Sequence, residues 1–299
     1  MPDVAFVGLG KMGSGMAGRL LAAGCRVRVY NRTASRAEPL VSQGARVCAT
    51  PAEACNRARA VFAMTADDQS SRSVWLGADG ILAAHLAPDS LAVECSTLSH
   101  DWVMELAALA TARGLRYIDA PVTGPPDAAA AGKLTLLVGA SHADLASARS
   151  FLDSLANRIL HFGPVGSGTA YKLMINMMGA VQIAAAAEGM AIAQRAGLDL
   201  AFVADAIAAG QAASPQVVRN TRRMVDGDHD RNIVFTPALR LKDVEYALRF
   251  ARKLGVGSSF GELAAGLLRQ LCEFGYGQQN ESKIFDVARA RTAVEVLPK

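Results

Sequence analysis

The stretch Val4-Ala5-Phe6-Val7-Gly8-Leu9-Gly10-Lys11-Met12-Gly13, followed by Arg26-Val27-Arg28-Val29-Tyr30-Asn31-Arg32-Thr33, decides the reading of this chain. An apolar run that ends in G-x-G-x-x-G and leads into a helical pattern is a strand, a tight turn and a helix. The first glycine allows the turn, the second lets bare backbone approach a pyrophosphate, and the third lets the helix pack close to the sheet. Gly8, Gly10, Lys11, Met12 and Gly13 are therefore the candidate cofactor contacts of a dinucleotide site. After the next strand, the slot that holds an acid in NAD-selective proteins holds Asn31, Arg32 and Thr33 instead. A guanidinium and two small polar groups repel no anion and suit a 2′-phosphate, with Arg36 as an added charge. The expected cofactor is NADP(H), with NAD(H) as the weaker alternative. The alternative reading of Arg32 is a solvated loop arginine.

Working outward, short apolar runs alternate with Ala-rich helical stretches as far as Gly163: Arg46 to Cys48, Ala60 to Met64, Leu91 to Glu94, Arg116 to Ile118 and Leu134 to Val138. That alternation predicts a parallel, doubly wound sheet of Rossmann type. Beyond Pro164 and Gly166 nothing reads as a strand. The pattern predicts a long helix from about Thr169 to Arg195, then helices over Leu200–Ala209, Pro215–Val225, Pro237–Leu254, Phe260–Phe274 and Ser282–Arg291. The fold class is thus α/β: a dinucleotide-binding domain over residues 1–163, an interdomain helix over 164–195 and an all-helical domain over 196–299.

Length and composition suit two domains of ordinary size, with 51% apolar and 19% charged residues in 299. The net charge of +4 comes with no basic run interleaved with aromatics, so nucleic acid is not an expected partner. Five cysteines without a C-x-x-C pair predict reduced thiols, and five scattered histidines predict no metal site. The chain opens on a strand without a basic, apolar leader, so a cytoplasmic location is expected rather than secretion. Gln182 and Glu188 interrupt the most apolar run, Met177 to Ala193, which therefore reads as a buried helix and not a membrane span. Its apolar residues extend around more than one face, which points to a homodimer or homotetramer or simply to burial.

Lys172 and Asn176 stand four apart on the long helix and so project from one face, a turn apart. A lysine beside a carbonyl donates a proton as hydride arrives, and an asparagine can orient it. Spacing alone fits a surface lysine with a polar neighbour better, since surface lysines are far commoner than catalytic ones.

The order of motifs carries more. Gly8-Leu9-Gly10-Lys11-Met12-Gly13, Ser96-Thr97-Leu98-Ser99, Asp119-Ala120-Pro121-Val122-Thr123-Gly124, Gly166-Ser167-Gly168-Thr169-Ala170-Tyr171-Lys172 with Asn176, and Lys242-Asp243 together resemble the β-hydroxyacid dehydrogenase family over almost the whole chain. The resemblance implies hydride transfer on CH–OH groups, with Lys172 as general acid/base and Asn176 in support. It implies cofactor contacts at Met64, Thr97 and Lys242. A substrate carboxylate would be held by Thr123 and Gly124, and Thr97, Phe235 and Asp243 would complete the substrate cleft. As a residue, Phe235 reads just as well as packing between helices. Asn31-Arg32-Thr33, Phe62-Ala63-Met64, Asp68-Gln69-Ser70 and Ala187-Glu188-Gly189 are most similar to the NADPH-dependent glyoxylate and succinic semialdehyde reductases. The implied partner is a small carboxylate-bearing molecule. Two departures stand out: Pro125 lacks the backbone donor the family usually has there, and Gln278 to Lys283 differs from the family pattern, so no role is carried onto it. An imine reductase-like enzyme is the alternative that Lys172 argues against. A non-catalytic NADP(H)-binding module is the other.

Overall fold

Val4 to Val7 are wholly buried in the first strand, β1 (Asp3–Val7), as a strand covered on both faces must be. The structure is a computed structural model that describes residues 1–291. β2 (Arg26–Tyr30), β3 (Arg46–Val47), β4 (Ala60–Ala63), β5 (Leu91–Glu94) and β6 (Arg116–Asp119) lie parallel to β1 in the order β3-β2-β1-β4-β5-β6. Val4 faces Val27 on one side and Ala60 on the other. The chain reverses its direction of travel across the sheet beside β1, and the crevice beyond the carboxyl ends of such strands is where open α/β sheets take ligands.

Past β6 the sheet departs from the all-parallel expectation. Two strands that the apolar pattern did not indicate, β7 (Val122–Thr123) and β9 (Ala156–Gly163), flank β8 (Leu134–Gly139). β8 runs antiparallel to β6 and β7, whereas β9 is parallel to β8. A parallel return needs a crossover of a dozen or more residues, usually built on a full helix. Residues 120–133 hold β7 and only the short helix Pro126–Ala130, so the chain turns back instead.

One face of the sheet buries Phe6, Phe62, Met16, Leu20 and Leu152 under the helices Gly13–Ala22 and His142–Leu155. The other buries Trp75, Trp102, Leu98 and Tyr117 under Asp68–Leu76 and His100–Ala112. Cys48, Cys55 and Cys95 are small buried residues, and all five cysteines are free thiols.

The chain divides into two compact units, Met1–Lys172 and Leu173–Lys299. The division falls inside the long helix, which runs Ser167–Arg195. By length and composition this helix is able to cross a bilayer, and 44% of its most apolar window is buried within the protein. Among the described residues the second unit has helices and no strand. Asp199, Ser214 and Thr236 cap the helices Leu200–Ala209, Pro215–Asp226 and Pro237–Lys253 with their side-chain oxygens, and proline opens the last two. Ile183, Ala187, Met190, Val244, Leu248 and Leu268 form its core. The α-helix Ser259–Leu271 widens into the turn Cys272–Tyr276, where the helical backbone passes the expected Phe274 and breaks at Gly275, with φ +85°. The final described helix is Ile284–Ala290, shorter than the expected Ser282–Arg291.

Candidate active site

Each glycine of the turn has its own reason. At Gly8, φ is +97° and a Cβ would lie 2.2 Å from the Met64 carbonyl oxygen, so this position both turns the chain and lets β4 come close. At Gly13 a Cβ would sit 2.0 Å from the Gly8 carbonyl oxygen, so the helix packs onto the turn itself. At Gly10 no heavy atom lies within 4 Å of where a Cβ would be. Bare backbone there faces open space. The helix Gly13–Ala22 has no side-chain cap and no acid in its first turn, so its positive end is left for an anion. Lys11 beside it is exposed and Met12 half-buried.

Asn31 shapes this turn from the end of β2. Its Oδ1 accepts the Leu9 N–H at 2.8 Å, and its Nδ2 donates to the Thr33 carbonyl at 2.9 Å. Gly8 N–H donates to the Tyr30 carbonyl at 2.9 Å. The amide is thus a strut between turn and loop, while Arg32, Thr33 and Arg36 are exposed just beyond it.

Thr97, half-buried, follows β5 above a polar cluster that the sequence reading missed. Glu94 is buried with no cationic partner among the described residues and accepts from Ser71 Oγ at 3.1 Å, Trp75 Nε1 at 2.8 Å, and Ser96 N–H at 3.0 Å and Oγ at 2.5 Å. Burial pushes its carboxyl up, and these donors oppose that. Thr65 N–H donates to Ser96 Oγ at 2.7 Å, tying the end of β4 to that of β5. Met64 is held by its own N–H on the Val7 carbonyl at 2.9 Å. The signal available in the sequence was an acid closing the apolar run Leu91–Glu94.

Thr123 ends β7, and Gly124 takes φ +137°. The helix Pro126–Ala130 that follows abuts the first helix at Gly15, where a Cβ would lie 2.7 Å from the Ala130 nitrogen. The expected carboxylate holder is thereby packed beside the helix of the glycine turn. Pro125 caps that short helix and brings no N–H.

Asp119, at the end of β6, accepts the backbone N–H groups of Gly166 and Thr169, both at 2.7 Å. It anchors the first turn of the long helix. Burial raises its carboxyl to about 6, against the lowering effect of those donors. At Gly139 a Cβ would lie 2.3 Å from Asp119 Oδ1, so only glycine leaves room for the carboxylate. Lys172 follows a few residues along this helix and is 8% exposed.

In the second unit, Asn176 is 7% exposed and donates from Nδ2 to Asp243 Oδ2 at 2.6 Å. Lys242 Nζ lies 3.0 Å from Asp243 Oδ1. Asn176, Lys242 and Asp243 are therefore brought together. Phe235 is half-buried beneath the Arg240 guanidinium, 4.4 Å from its ring centre, and that guanidinium also donates to the Asn176 carbonyl. Glu281, in the stretch to which no role was attached, is the buried partner of Arg240 at 2.7 Å.

Residues 3–163 match the NAD-binding domain of 6-phosphogluconate dehydrogenase, and residues 166–288 match the NAD-binding domain of NADP-dependent 3-hydroxyisobutyrate dehydrogenase. The chain is 33% identical to the NAD-dependent L-serine dehydrogenase of Pseudomonas aeruginosa over 298 residues, 96% of this chain and 98% of that one. It is similar to the structure of Mycobacterium tuberculosis 3-hydroxyisobutyrate dehydrogenase with L-serine, at 29% identity and a TM-score of 0.87 over 97% and 99% of the two chains. Psf3, solved with NADP+ and 2-OPP, superposes with a TM-score of 0.85 at 26% identity over 95% and 99%. With both halves of the chain matched and the glycine turn formed as a dinucleotide site requires, the chain belongs to the β-hydroxyacid dehydrogenase family of NAD(P)-binding oxidoreductases that act on CH–OH groups.

Proposed function

We propose that this protein is an NADP(H)-dependent enzyme that interconverts a small hydroxy acid and its aldehyde or oxo acid, with Lys172 as the general acid and base. The observation that carries the reading is Lys172 itself, 8% exposed on a helix whose first turn Asp119 pins by two hydrogen bonds. A solvated surface lysine is not buried to this degree. Lys172 Nζ gives its proton to the substrate oxygen in reduction and takes it back in oxidation. The nicotinamide, when bound, supplies or accepts the hydride. Asp243 fixes the amide plane of Asn176 through one N–H, so that Asn176 offers its amide to the substrate in one orientation. Thr123, through its hydroxyl, and Gly124, through its backbone N–H, hold the carboxylate, and Pro125 leaves that cradle one donor short. Thr97 serves both ligands, and Lys242 and Asp243 are further contacts of the coenzyme and the substrate.

For the coenzyme, Arg32 and Thr33 stand exposed where an acid would select NAD, and Arg32 takes the 2′-phosphate. Psf3 was solved with NADP+, whereas the L-serine dehydrogenase relative is named as NAD-dependent, so NADH is the necessary comparison. The protein works as a homodimer or homotetramer: Phe202, Phe260 and Leu263 are 73%, 76% and 69% exposed on the helical unit. Light scattering after size exclusion checks that.

The test of function is turnover by purified protein. Glyoxylate, succinic semialdehyde, methylmalonate semialdehyde and tartronate semialdehyde are offered with NADPH and with NADH, and L-serine and 3-hydroxyisobutyrate with the oxidised forms. Turnover of at least one acid, lost on Lys172→Ala, supports the reading. NADPH binding without turnover of any acid, or turnover of a cyclic imine alone, overturns it.

A further inference from the structure

Arg240 is 2% exposed, and each of its three guanidinium nitrogens donates a hydrogen bond. Nε and Nη2 fork onto Glu281 at 2.7 and 3.2 Å, and Nη1 donates to the backbone carbonyl of Asn176 at 3.2 Å. Its guanidinium also stacks on Phe235. Gly179, three residues beyond Asn176 on the same helix face, makes this approach possible, because a Cβ there would sit 3.2 Å from Arg240 Nη1. Glu281 is itself buried and takes a second arginine, Arg219, at 3.3 Å. One turn along the helix Pro237–Lys253 from Arg240, Asp243 accepts the side-chain amide of the same asparagine. A single helix therefore grips Asn176 twice, by its carbonyl and by its side chain.

We propose that Arg240 and Glu281 are positioning residues, which fix the rotation of the long helix at Asn176 so that its amide meets Asp243 in one orientation. The proposal rests on the reading of Asn176 as part of the active site. A buried ion pair adds little net stability over apolar residues of the same size, so stability does not account for the arrangement. Geometry does. A helix rotation of about 20° moves a side-chain tip roughly 5–6 Å from the axis by about 2 Å, enough to break the contact with Asp243. A misplacement of about 1 Å in a reacting constellation costs on the order of a hundredfold in rate.

The test uses the full chain with Arg240→Met/Glu281→Met, which replaces the pair by apolar side chains of similar length, alongside Arg240→Lys, Asn176→Ala and the triple variant. Expected for the double variant is a melting temperature close to that of the parent, with amide hydrogen exchange over residues 173–183 faster by about tenfold or more. Its kcat, for the best acid of the screen above, falls about tenfold or more while KM for the coenzyme stays within about twofold, and adding Asn176→Ala lowers kcat no further. If the double variant does not fold, Arg240→Lys, which keeps the charge and loses the fork, reads the same quantities. Unchanged exchange and unchanged kcat in a folded variant overturn the proposal. The two readings fail differently: Asn176→Ala with full kcat sinks the assignment of Asn176, whereas a damaged Asn176→Ala beside an intact double variant sinks only the role of Arg240 and Glu281.

Discussion

Asp119 on β6 accepts the Thr169 N–H at 2.7 Å, across 50 residues of sequence, and so ties the sheet to the helix that carries Lys172. Its carboxyl is raised from 3.8 to about 6 because burial disfavours the charge. Between those values the folded protein binds a proton that the unfolded chain does not. The contribution of this group to stability is therefore full below its ordinary value and is lost as pH rises through about 6, a change of roughly 3 kcal/mol. Urea unfolding from about pH 4 to about pH 7 should show parent minus Asp119→Asn stability declining over that window. A difference independent of pH would mean that the carboxyl is not raised.

Gly10 and Gly13 separate binding from folding. Gly13→Ala drives a methyl into the Gly8 carbonyl and is expected to cost about 2 kcal/mol or more, with a matching fall in melting temperature. Gly10→Ala meets nothing within 4 Å and should melt with the parent. Its methyl occupies the approach to the pyrophosphate, so NADPH affinity by fluorescence titration should fall about tenfold or more. Equal damage to both properties in both variants would count against this division.

Arg32→Ala tests coenzyme choice. Charge-assisted hydrogen bonds to a phosphate are worth about 1.5–3 kcal/mol, so kcat/KM for NADPH should drop roughly ten- to a hundredfold. That for NADH should stay within about twofold. A parallel loss for both coenzymes would assign Arg32 to the loop and not to the 2′-phosphate.

Lys172→Met keeps the length of the side chain and removes the proton. Turnover should fall by about 10²- to 10⁴-fold with NADPH affinity unchanged, as read by steady-state kinetics beside a binding titration. A loss of only a few-fold would show that the proton moves by another route.

Much of the first unit was legible because a buried parallel strand writes a continuous apolar run, as in Val4 to Val7 and Ala60 to Ala63. β9 wrote none: most of its residues are exposed or half-buried, so no apolar run marks it. The reversal at β8 was equally silent, since side-chain period carries no strand direction. In the site, Gly8 and Gly13 were readable because each answers a steric demand of its neighbours, whereas at Gly10 the backbone faces open space. Asn31 was read as a phosphate contact, and its bonds to Leu9 and Thr33 depend on a turn that forms only in three dimensions. Arg240 and Glu281 lie 41 residues apart, and nothing in either segment announces the other.

The Asn31 strut also bounds what redesign of this protein can do. An aspartate at position 31 would still accept the Leu9 N–H, yet would turn a second oxygen onto the Thr33 carbonyl where an N–H now donates. Installing an acid there to change coenzyme choice would unsettle the glycine turn that Asn31 braces. Positions 32 and 33, exposed and outside that brace, are where such a change leaves the rest of the nucleotide site intact.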